Sequence, residues 1–242
     1  MDWSFLLYVV IGFVAQLVDS ALGMAFGSLS SGVMLSIGFP PQALSATVHM
    51  AEIFGGGAAA VSHWRLGNLD FSLLKKLTIP AIAGAVLGTF LVTHIDNTVL
   101  KPLLGVYFLV IGLVIVVKAL RPTMIRIMTI RQSALGFVGG FLDAFGGAGW
   151  GEFVSSGLLL RGHNVRNAIG SLVAAEFMVA VTVSVIFYTT TGTVHWLEVI
   201  ALALGAVAAA PLGAWLCKRT PLTPLTALVG LLVAALGLKA LL

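Results

Sequence analysis

The segment GFVAQLVDSALG at Gly12–Gly23 returns as GFVGGFLDAFGG at Gly136–Gly147, an offset of 124 residues. Glu52 returns as Glu176 at the same offset, and PLLGVYFLVIGL (Pro102–Leu113) returns as ALVGLLVAALGL (Ala227–Leu238) at an offset of 125. A chain duplicated over this much of its length is constrained to fold as two related halves. In a very apolar chain, such duplication is the pattern of transporters assembled from repeats.

The solvent follows from the side chains. Hydrophobic residues make up 59% of the 242 residues and charged residues 9%, where a soluble domain carries about 25% charged residues. No ordinary water-facing surface can be built from this set, so the chain is expected to sit in lipid. Windows of about 20 uncharged residues are long enough to cross a bilayer as helices. Strand-type alternation is absent and Ala, Leu and Gly dominate, which excludes a membrane barrel. The fold class expected is an all-α polytopic membrane protein. The start, MDWSFLLYVV, lacks a basic segment and a cleavage pattern, so no removable signal peptide is expected. Cys217 is the sole cysteine, which excludes an intrachain disulfide and a thiolate zinc cluster. The net charge of +4 marks cytoplasmic loops rather than nucleic-acid binding.

Six stretches read as single spans: residues 43–63, 73–93, 99–117, 168–188, 197–216 and 225–242. Two others, 4–37 and 133–160, do not fit. The second would be about 42 Å long as one helix, against a hydrocarbon core of about 30 Å. Both are interrupted by small residues, DSALGMAFGSLSSG and DAFGGAGWGEFVSSG, and are expected to be broken or re-entrant helical hairpins. Basic residues support this. If each hairpin returns to its starting side, eleven of the thirteen Lys and Arg face the cytoplasm, leaving only Lys101 and Lys239 outside. The result is two inverted repeats, 1–120 and 133–242, each a hairpin followed by three transmembrane helices. A cytoplasmic linker, 121–132, joins them, and both termini lie outside. Trp3, Trp64, Trp196 and Trp215 fall at segment ends, where amphipathic rings favour the headgroup level; Trp150 falls beside a hairpin tip.

Glu52 and Glu176 lie near the centres of their spans. A carboxylate at that depth costs about 2.5 kcal/mol or more and normally faces a cavity or partner, a placement that suits a proton carrier. His49 lies three residues before Glu52 on the same helix face and titrates near neutrality in its unperturbed state. With Asp19 and Asp143, which open the two breaks, these residues form the expected proton-coupling or gating set; helix capping is the alternative for the two Asp. Glu152 has no acidic counterpart, because Ser28 stands at its position in the first half. Substrate contacts are expected at Gly23, Gly27, Ser28, Ser30 and Ser31 in one tip and at Gly146, Gly147, Gly149, Trp150, Gly151, Ser155 and Ser156 in the other. Glycine permits the breaks, and broken helices present free amides and a positive dipole end to anions. With no Lys or Arg inside the two expected hairpins, an anion there relies on amides, hydroxyls, the Trp150 N–H and His49. No cofactor and no metal site is expected.

The block GFVAQLVDSALGMAFG at Gly12–Gly27, its second copy at Gly136–Gly151 and the eight apolar stretches around them resemble the TauE/SafE family of bacterial sulfite and organosulfonate exporters. The resemblance implies a permease of the bacterial cytoplasmic membrane whose cargo is a small sulfur-containing anion. The function expected is therefore a secondary transporter exporting such an anion by alternating access. Proton or sodium coupling is open, as is an oligomeric state. The alternatives are a channel-like anion pore and, further off, an intramembrane enzyme.

Overall fold

The computed structural model describes residues 3–121, 131–145, 147–159, 163–192, 194–217 and 223–242. Gly146 of the expected site lies outside them, as do most of the linker and the basic residues Arg126, Arg161, Lys218 and Arg219. Ten helices occur among the described residues: α1 (Trp3–Leu22), α2 (Phe26–Ser36), α3 (Pro41–Arg65), α4 (Phe71–His94), α5 (Asn97–Leu120), α6 (Gln132–Asp143), α7 (Trp150–Leu159), α8 (Val165–Thr191), α9 (Trp196–Leu216) and α10 (Thr223–Leu241).

A helix occurs at each of the six stretches expected as single spans, extended by a few residues at most ends. Their limits have local causes. Pro41 starts α3 at a position where its missing N–H costs nothing. Asp70 accepts from the amides of Ser72 and Leu73 at 2.9 and 3.1 Å and so caps α4. Gly192, at φ 65°, closes α8 in the left-handed conformation. Helices α1, α4, α5, α8 and α9 are long and apolar enough to cross a bilayer. Apolar side chains line their outer faces: Ile79, Phe90, Leu113 and Leu204 are all exposed. Trp3, Trp64, Trp196 and Trp215 are exposed at helix ends, while Trp150 is fully buried.

Both interrupted stretches are indeed broken. The first is unequal, with 20 residues in α1 and 11 in α2. Gln16 on α1 packs beside Gly55 on α3, and the His63 ring bonds the Ser20 carbonyl, so α1 and α3 run in the same sense. Between them only α2 can carry the chain back.

Helix pairing repeats across the two halves. Helix α1 packs on α9 as α6 packs on α4, and α3 packs on α9 as α8 packs on α4. Helix α3 also packs on α8, and α5 on α10. Exchanging each helix for the one five places away maps these contacts onto one another. Each half therefore supplies the packing surface for the other, and the breaks are held at the centre.

Candidate functional site: the crossing of the two broken helices

The breaks have the same backbone in both halves. Gly23 and Gly147 adopt φ 69° and 67°, and Ala25 and Gly149 adopt φ 100° and 104°. The Gly23 amide donates to the Asp19 carbonyl at 2.6 Å, and the Gly147 amide to the Asp143 carbonyl at 2.7 Å. These are left-handed helix ends, the conformation glycine adopts without the Cβ penalty. Each is followed two residues later by a second left-handed residue that starts the next helix.

The two breaks meet. A Cβ added to Gly27 would collide with the Gly147 carbonyl, and one added to Gly151 would collide with the Gly23 carbonyl. These contacts exchange under the 124-residue offset, so the tips cross backbone to backbone. At the crossing the Ser28 hydroxyl donates to Glu152 Oε1 at 2.9 Å. Those are equivalent positions of the two halves, 124 residues apart. Glu152 Oε2 accepts from the Gly149 amide at 3.0 Å and caps α7. At α2 the corresponding Ala25 offers no side-chain cap.

Five of the nine acidic residues of the chain, Asp19, Glu52, Asp143, Glu152 and Glu176, are buried around this crossing. Glu176 interacts electrostatically with the other four. Asp143 Oδ2 lies 3.3 Å from His49 Nε2, an ion-pair distance for a protonated ring. Asp19 Oδ2 accepts from the Gln16 amide at 3.1 Å. Among the described residues neither Asp caps the half-helix that follows it; both lie in the last turns of the preceding helices. Asp19 Oδ1, Glu52 Oε2, Glu176 Oε2 and the hydroxyls of Ser30 and Ser31 are buried without a hydrogen-bond partner. Unpaired buried polar groups are costly, and five of the seven such atoms among the described residues belong to residues singled out by the sequence, the others being on Gln16 and Ser184.

The sequence profile of the sulfite exporter TauE/SafE family matches residues 8–240. The chain belongs to this family. This TauE/SafE protein is 34% identical over 224 residues to the probable membrane transporter protein YtnM of Bacillus subtilis, covering 88% of the chain and 75% of that relative. It is 29% identical over 168 residues to the probable membrane transporter protein ORF9 of a Sinorhizobium species, covering 66% and 62%. With the probable membrane transporter protein YjnA of Bacillus subtilis it shares 25% identity over 248 residues, 94% and 95% of the two chains. No solved structure matches. This TauE/SafE chain is an integral membrane protein and a membrane transporter, not an enzyme.

Several side chains of the TauE/SafE site behave differently from expectation. The Trp150 indole N–H donates to the Leu172 carbonyl at 3.2 Å, which ties α7 to α8 and leaves no donor for an anion in this conformation. Ser155 accepts from Lys118 Nζ at 3.0 Å. The expected span ended at Val117, but α5 continues to Leu120, so Lys118 is carried on a membrane helix and reaches the second broken segment. Ser156 lies on α7. Sequence reasoning also missed Ser45, Gln16 and Tyr107. The Tyr107 hydroxyl donates to the Leu142 and Ala148 carbonyls, pinning the second break. Tyr107 has no polar counterpart in the repeat, since Leu232 stands 125 residues on, and the repeat was the signal in use.

Proposed function

We propose that this protein is a secondary transporter moving a small sulfur-containing anion, of the sulfite or organosulfonate class, out across the cytoplasmic membrane by alternating access. The observation that carries the reading is the crossing of the two tips, with buried serine hydroxyls and helix starts beside it. The uncapped start of α2 together with Ser30 and Ser31 forms the anion-facing side. The start of α7 is occupied by its own Glu152, so the first half supplies more of the site.

The cargo class rests on the family description. Alternating access rests on the duplication and on the exchange of helix contacts under the 124-residue offset, which support two inverted repeats rocking about the crossing. Both termini outside is the orientation the basic residues favour. The backbone contact of Gly27 with Gly147 closes the centre in this conformation and favours a carrier over an open pore.

Five carboxylates beside an anion would repel it if all were ionised, so cargo and neutralising cations bind together. Of the expected proton-coupling residues His49, Glu52, Glu176, Asp19 and Asp143, this reading assigns protons to Asp19 and Glu176, whose buried oxygens lack partners. Glu52 Oε2 lacks a hydrogen-bond partner too, but Glu52 lies in a cluster with His49 and Asp143, whose side chains contact each other at 3.3 Å. Export suits the energetics: each negative charge leaving a negative interior releases about 2.3 kcal/mol per 100 mV.

The test is flux from liposomes carrying the purified protein, with sulfite, sulfonates and carboxylates compared under imposed pH and voltage gradients. Saturable efflux of one sulfur-containing anion, competed by its analogues, is expected. Efflux that rises linearly with concentration favours a pore, and no flux of any sulfur-containing anion overturns the cargo.

A further inference from the structure

We propose that His49, Glu52 and Asp143 form a binding site for a divalent transition-metal ion of the zinc class. One ligand atom from each residue lies within 4.8 Å of the other two, and all three residues are buried.

The proton positions on His49 carry the inference. Its Nδ1 lies 2.8 Å from the Ser45 carbonyl oxygen, which can only accept. The Ser45 hydroxyl, 3.3 Å from the same nitrogen, already donates to the Ala144 carbonyl at 3.0 Å and so also acts as an acceptor there. Nδ1 therefore bears the hydrogen, which in the neutral ring leaves the Nε2 lone pair facing Asp143 Oδ2 at 3.3 Å. Two acceptors facing each other require a positive charge between them. Beside them, Glu52 Oε2 is buried with no hydrogen-bond partner.

A backbone carbonyl fixing one imidazole nitrogen is the arrangement that orients a metal-binding histidine. The spacing also fits. Ligands about 2.0–2.1 Å from a tetrahedral zinc lie about 3.3 Å from one another, the separation of Nε2 from Oδ2. A Glu52 carboxylate oxygen lies within 4.8 Å of the other two ligand atoms, so its two edges shorten by up to about 1.5 Å on binding. One imidazole with two carboxylates suits zinc and its neighbours, whereas calcium and magnesium favour oxygen-only sets. Two carboxylates and a divalent ion sum to zero charge, which removes the penalty of two buried anions. Three protein ligands leave one coordination position for water or an anion. No spacing rule in the sequence could reveal the set, because Asp143 joins it from 94 residues beyond His49.

The test uses untagged full-length protein in lipid nanodiscs, stripped with chelator and titrated with zinc, alongside elemental analysis. One zinc per chain is expected, with a rise in the thermal midpoint. His49→Ala and Glu52→Gln weaken zinc binding by roughly tenfold or more, while His94→Ala, at an exposed histidine, leaves it unchanged. Cobalt(II) gives a readout needing no variant: the wild type shows the intense visible bands of a four-coordinate site. Folded wild type that takes up no zinc overturns the proposal and leaves a proton between His49 and Asp143. Zinc uptake unaffected by His49→Ala also overturns it. Neither outcome bears on whether sulfur anions are carried, because no transport is measured.

Discussion

Substituting Gly27 by alanine probes the crossing of the broken helices at its tightest point. The added Cβ would fall on the Gly147 carbonyl. Its neighbours are backbone atoms, so no side chain can rotate away. Overpacking a core typically costs 1–3 kcal/mol when side chains give way; here the tips themselves must separate, and about 3 kcal/mol or more is expected. Gly56 supplies the opposite sign. It too lies inside a helix, but a Cβ there would meet Glu52 Cγ at 3.5 Å and Phe177 at 3.8 Å, ordinary contact distances. Gly56→Ala should be neutral, or stabilise by up to about 1 kcal/mol through helix propensity. Unfolding in mixed micelles, followed by circular dichroism for both variants and the parent, measures the difference. The contrast should exceed about 3 kcal/mol, with flux lost only in Gly27→Ala. A Gly27→Ala protein as stable and active as its parent would refute the crossing.

Glu176→Gln keeps the size and hydrogen-bonding capacity of the side chain but cannot carry a proton; the response of flux to an imposed pH gradient should weaken, with Asp19 carrying what remains, while the voltage response persists. Ser28→Ala removes a donor from the buried Glu152 carboxylate and should cost about 1–3 kcal/mol in the same unfolding assay. Ala25 is a non-glycine residue at φ 100°, so Ala25→Gly should relieve strain and stabilise by roughly 1 kcal/mol, raising the thermal midpoint.

The helices at the six apolar stretches, the two breaks and the tryptophans at helix ends were legible because each follows from one-dimensional information: apolar length, clustered small residues, and aromatic position. The duplication went further. It pairs Gly23 with Gly147 and Asp19 with Asp143, and in the structure the glycine φ angles agree within a few degrees and the Gly-to-Asp hydrogen bonds within about a tenth of an ångström. What escaped depends on partners distant in sequence. Lys118 lies just past the expected span 99–117, but α5 continues and carries it to Ser155. The Trp150 N–H, a free donor by sequence, is given to the Leu172 carbonyl in the structure. Glu152 looked anomalous in the repeat because its role lies in the break of symmetry: it faces its own counterpart, Ser28. A self-facing position tolerates one carboxylate and one donor, but not two carboxylates.

The central claim is that the cargo lies where the tips cross, and Ser31 reports on it most directly. Its hydroxyl is buried without a partner and lies 3.5 Å from the position a Gly147 Cβ would take. In a Cys217→Ser background, the alkylation rate of Ser31→Cys by a small neutral reagent should fall severalfold when the transported anion is present at saturating concentration. A non-transported anion should have no effect. Equal rates with and without a cargo that the same protein demonstrably carries would contradict the account.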